Sequence, residues 1–248
     1  MARMTLDDLV AQLRSAYGDA LRAVVLYGSA ASADAASGEI GAGARPGREL
    51  HYDVLVVTDR LGMAELRRAA ATARAWDEAG HPPPLTLTTA EWRGSADVFP
   101  MEYADLLERH RVLYGTLPIE GVAVERRDLR VEVEQQVLGK LLQLRAALMR
   151  TGWDAKRQLA LLEASFGTLM AVFRGVVRLH GARPPAEHEA LVAEVAGRAG
   201  FDGAPFVRVA RHVRGGERIA PDGAAQVLAG YLTAMERLVA HVDEFPLT

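Results

Sequence analysis

The sequence predicts an α+β chain, with a mixed sheet and flanking helices over residues 1–120 and an all-helical bundle over 121–248. Three observations carry this reading. Short β-rich runs alternate with helical segments in the first half, at 22–27, 50–57 and 85–89. Beyond about residue 128 only helical spacing persists. The chain has 248 residues, half of them hydrophobic and a quarter charged, which is enough to bury one large core or two modest ones.

The elements follow in order. Leu6, Leu9, Val10 and Leu13 recur at the spacing of an amphipathic helix over 5–18, and Thr5 with Asp8 forms a capping-box start. Arg22 to Tyr27 is a strand that ends at Gly28-Ser29. Residues 30–48 are rich in Ala, Gly and Ser and read as a loop. Leu50 to Val57 is near-continuously apolar, the pattern of a central strand. A helix over 62–79 is closed by Gly80 and the prolines at 82–84. Leu85 to Thr89 alternates as a third strand. The connection between the halves falls at 115–128. Val133, Val137, Leu141, Leu144 and Leu148 mark a helix over 129–149. Further helices are expected at 155–180, 187–199, 204–213 and 222–243. Helices this apolar on one stripe must bury it against one another.

Composition narrows the function. Cys is absent, so there is no disulfide framework and no thiolate chemistry, which suits a reducing cytoplasm. The net charge of −3 argues against a sequence-independent nucleic-acid binder. Acidic residues near the start and the lack of a long uninterrupted apolar run predict neither a signal peptide nor a membrane span, and a cytoplasmic protein.

Chemistry concentrates in Val24-Val-Leu-Tyr-Gly-Ser29 and Tyr52-Asp-Val-Leu-Val-Val57. A strand ending in Gly28-Ser29 lets a phosphate approach bare backbone, with amide and hydroxyl donors to its oxygens. Strand alternation places His51, Asp53 and Leu55 on one face, so Asp53 can face that turn. This arrangement resembles the signature of the polymerase β-like nucleotidyltransferases.

The resemblance implies that Gly28 and Ser29 contact a nucleoside triphosphate. It implies two carboxylates, one residue apart on the next strand, holding two Mg²⁺ ions, and a third acid activating an acceptor hydroxyl. Asp53 matches the second of the paired acids. His51 stands where the first would be, and imidazole is a poor Mg²⁺ ligand. Thr86 and Thr88 occupy the strand expected to bear the third. Glu102 and Asp105 either supply a missing carboxylate or cap a helix over 101–110. His110 and Arg111 either contact phosphate or end that helix in solvent.

Asp97 to Asp105, His110 to Gly115 and Leu138 to Arg145 also resemble stretches of bacterial nucleotidyltransferase-domain proteins of similar length. The helical half resembles that of kanamycin-type nucleotidyltransferases, which makes Glu163 a candidate base. The expected activity is transfer of a nucleoside monophosphate to a hydroxyl of a small molecule or protein, through a reduced metal site. The alternative is an inactive relative that binds nucleotide or a partner. Apolar stripes on 129–149 and 155–180 also permit a homodimer.

Overall fold

The computed structural model describes residues 4–32 and 51–246. The predicted loop at 30–48 therefore lies mostly outside the described residues. The chain forms two compact units, Met1–Val124 and Glu125–Thr248, and the α+β class is as expected.

The first unit runs α1 (Leu6–Tyr17), β1 (Leu21–Tyr27), β2 (Asp53–Thr58), α2 (Met63–Glu78), β3 (Leu85–Thr88), α3 (Thr89–Gly94), α4 (Pro100–Glu108) and β4 (His110–Gly115). The capping box of α1 forms: Asp8 N–H donates to Thr5 Oγ1 at 3.2 Å, and Thr5 N–H donates to the Asp8 carboxylate at 3.0 Å. The sheet order is β3-β2-β1-β4, with β1 antiparallel to both neighbours and β2 parallel to β3.

Both inner strands are buried on both faces, which is why they read as continuous apolar runs. Val24, Leu26, Val54 and Val56 pack toward α1 and α2 with Leu9, Leu13 and Trp76. Ala23, Val25, Leu55 and Val57 pack on the opposite face with Trp92, Tyr103 and Leu106.

Three local expectations are corrected. Residues 110–115 form a strand, not the solvated end of a helix; β4 is an edge strand with Arg111 and Val112 exposed, so its burial signal is weak. The helix before it spans Pro100–Glu108. The third strand ends at Thr88, which caps α3 by accepting from Glu91 N–H at 3.1 Å. Gly115 closes β4 with φ +71, and a Cβ there would lie 2.0 Å from the Arg22 carbonyl oxygen.

The second unit comprises α5 (Arg126–Thr151), α6 (Ala155–Leu179), α7 (His188–Ala199), α8 (Ala204–Val213) and α9 (Ala224–Asp243). α6 is its axis, packed against the other four. Phe173, Phe206 and Tyr231 stack through its core, with ring centroids 5.0 Å and 4.0 Å apart in succession. Among the described residues α6 is the one helix long and apolar enough to cross a membrane; 50% of its most apolar stretch is buried within the fold. Glu163 and Arg174 interrupt its apolar sequence, and the bundle packing supplies a reason for so apolar a helix.

Candidate functional site

β1 ends at Tyr27, and the chain turns at Gly28 into a short 3₁₀ segment, Gly28–Ser32. Gly28 has φ +72, and a Cβ on it would meet Asp53 Oδ2 at 3.0 Å. Glycine is required here twice, for the left-handed backbone and for the close approach of a carboxylate. Asp53 opens β2 directly opposite Tyr27, and Tyr27 is opposite His110 on its other side. Directly opposed residues of antiparallel strands share a face, so Asp53, Tyr27 and His110 form a row across one end of the sheet.

Electrostatics draw a fourth residue into the row. Burial pushes the Tyr27 phenol up from its ordinary value, and the negative charges of Asp53 and Glu102 push it further. Glu102, exposed on the first turn of α4, thus acts on the same phenol as Asp53. Burial likewise pushes the Asp53 carboxyl up, opposed by the nearby His51 ring. Among the described residues nothing donates a hydrogen bond to the Asp53 carboxylate or pairs with it as a salt bridge. A half-buried carboxylate without a partner is unfavourable, and a cation or donor from a ligand would relieve it.

The other sequence candidates separate. The Nδ1–H of His51 donates to the Gly80 carbonyl at 2.5 Å, so that ring keeps only Nε2 as a lone-pair donor. His51 precedes β2, so the strand's alternation does not set its direction. The His110 Nδ1–H similarly donates to Leu106 O at 2.8 Å. Asp105 is paired with Arg109 at 2.5 Å and lies outside the row. Thr86 Oγ1 donates to Pro84 O at 3.2 Å, and Thr88 is occupied in capping α3. The Ser29 side chain lies outside the described atoms.

Among the described residues the oxygen ligands for a resident pair of Mg²⁺ ions are not assembled. Mg²⁺ needs several oxygen ligands in near-octahedral geometry. Among the described residues no three His, Cys, Asp or Glu side chains cluster closely enough to hold a metal ion. Among the described residues the site offers one half-buried carboxylate, Asp53, at a bare glycine turn, with the negative charge of Glu102 also acting on Tyr27.

In the second unit Glu163 is bound by His212. The His212 Nδ1 accepts from Ile219 N–H at 3.1 Å, which fixes the proton on Nε2, and Nε2–H donates to Glu163 at 2.8 Å. Arg145 is paired with Glu236 at 2.7 Å, and His180 Nε2 lies 3.0 Å from His241 Nε2.

Sequence reading reached Gly28, Asp53, Glu102 and, as a possible phosphate contact, His110, but missed Tyr27. Its place beside Asp53 comes from strand register, and the available signal was a tyrosine directly before the turn. No protein-family model matches the chain, and no curated protein sequence matches it.

Proposed function

We propose that the Gly28 end of the sheet binds a nucleoside triphosphate, and that the chain is a polymerase β-like nucleotidyltransferase relative acting as a nucleotide-binding module. The observation that carries this is the half-buried Asp53 carboxylate, unpartnered among the described residues and set 3.0 Å from where a Gly28 Cβ would be. The absence of a Cβ at Gly28 lets a phosphate approach the turn, and Asp53 receives positive charge that arrives with the nucleotide. In this reading the protein works in the cytoplasm, in keeping with a Cys-free chain, and its net charge of −3 disfavours nucleic acid as the ligand.

Calorimetric titration with ATP, GTP, CTP and UTP, with and without Mg²⁺, tests the reading. Expected is binding that requires Mg²⁺ and weakens about tenfold or more in Asp53→Ala, a loss of at least ~1.4 kcal/mol. Failure of all four nucleotides to bind would sink it.

A second reading is transfer of a nucleoside monophosphate to a hydroxyl on a small molecule or protein. It is favoured by Glu102, which brings a second carboxylate to the same phenol as Asp53. Label transfer from an α-phosphate-labelled nucleotide, abolished by Glu102→Gln without loss of nucleotide binding, would support it. Binding without transfer to any acceptor leaves the module reading.

A further inference from the structure

The second unit carries a feature that nucleotide binding does not use. α5 buries Leu129, Val133, Val137, Leu141 and Leu144 against α6 and α9. About 140° around the same helix lies a second apolar stripe. It contains Val131, Leu138, Leu142 and Met149, between 44% and 79% exposed. Its 7-4-7 spacing is that of a coiled-coil seam rather than scattered surface residues.

The stripe is palindromic about Lys140. Val131 and Met149 lie at equal distances on either side, as do Leu138 and Leu142. Gln135 mirrors Arg145 within the stripe, and Arg127 mirrors Trp153 at its ends. Such a sequence is complementary to itself run backwards. Glu132 stands beside the first half and Arg150 beside the second, while Glu134 and Arg145 are already paired within the chain with Arg130 and Glu236. An antiparallel partner sets acid beside base, whereas a parallel one sets like beside like. At the end of the stripe the chain holds Trp153 79% exposed, on a backbone with φ +65 that a bulky side chain rarely adopts.

We infer that two copies of this chain associate through α5, antiparallel, about a two-fold axis at Lys140. Val131 packs on the partner's Met149, Leu138 on the partner's Leu142, and Arg127 lies over the partner's Trp153. The isologous pairing follows from the palindrome, since each contact is made twice. This inference does not depend on the nucleotide reading.

Sedimentation equilibrium of the full chain over about 1–100 µM tests it first. A dimer is expected, and Leu138→Glu and Leu142→Glu are each expected to weaken it by at least 100-fold, since four acidic side chains would meet at the axis of the double variant and two in each single one. Circular dichroism matching wild type shows that these exposed substitutions leave the fold intact.

Register is tested by cross-linking, because the chain has no native Cys. Val131→Cys mixed with Met149→Cys is expected to give a disulfide-linked heterodimer, while Val131→Cys alone does not, its two sulfurs lying about 27 Å apart along the pair. Trp76 and Trp92 are fully buried, so concentration-dependent shielding of tryptophan from acrylamide reports Trp153. A monomer throughout the range, a dimer indifferent to both glutamates, or efficient self-cross-linking of Val131→Cys would each overturn the proposal.

Discussion

Replacing Gly28 with Ala tests the geometry of the candidate site without reference to any ligand. Two costs combine at this position. The left-handed backbone at φ +72 costs an L residue about 1–2 kcal/mol. The new Cβ would stand 3.0 Å from Asp53 Oδ2, so the carboxylate must move by a few tenths of an ångström. A side chain pushed off its rotamer adds roughly 0.5–1.5 kcal/mol. The expected loss is therefore about 1.5–3.5 kcal/mol.

Gly152→Ala is the control, since its φ of +58 is similar but nothing lies within 4 Å of a Cβ there. It should cost only the backbone part, about 1–2 kcal/mol. The decisive measurement is a double-mutant cycle with Asp53→Ala, by urea denaturation followed in the far ultraviolet. Removing the carboxylate removes the second cost, so the two substitutions should couple favourably by roughly 0.5–1.5 kcal/mol. Strict additivity would refute the close approach of Asp53 to the Gly28 backbone, and with it the basis of the proposed site.

Two other predictions concern buried polar groups. Burial raises the Asp53 carboxyl above its ordinary value of 3.8, so its contribution to stability is full below that value and is lost as pH rises through the folded-state value. At pH 7 the ionised group works against folding, and Asp53→Asn should stabilise by under about 1 kcal/mol, since water still screens part of the group. Thermal melts at neutral pH and near pH 3 check the sign: the gain should vanish in acid, and an equal gain at both would contradict the cause. Among the described residues the buried Tyr231 hydroxyl has no hydrogen-bond partner, and burial pushes its phenol well above the ordinary value. Tyr231→Phe should raise the stability of the helical unit by about 1–2 kcal/mol, measured by urea unfolding; a loss would reveal a partner for the hydroxyl.

The elements easiest to read in the sequence are those whose pattern is local. α1 shows both its capping box and its apolar stripe, and the inner strands show as unbroken Val and Leu runs because both faces are covered. α3 escaped because its capping box, Thr88 to Glu91, directly follows a Thr-rich strand whose last residue is the cap. β4 escaped because an edge strand exposes what an inner strand hides. The turn at Gly28 and the carboxylate at Asp53 were legible, being one dipeptide and one alternation. The row that joins Asp53, Tyr27 and His110 was not, since it exists only through the register of three strands. His51 illustrates the opposite error: extending the pleat by two residues assigned it a face, yet its ring is turned to the Gly80 carbonyl.

The apolar axis helix of the second unit has a consequence for how the chain is made. α6 emerges from the ribosome well before α9, which must close over both it and α5. At ordinary synthesis rates the interval from Leu179 to Asp243 lasts roughly 3–13 s. During that time a segment with the length and hydropathy of a membrane span stands partly uncovered in the nascent chain. Mutations that delay or weaken α9 should therefore reduce yield through capture of α6 by membranes or chaperones, even where the finished fold would tolerate them.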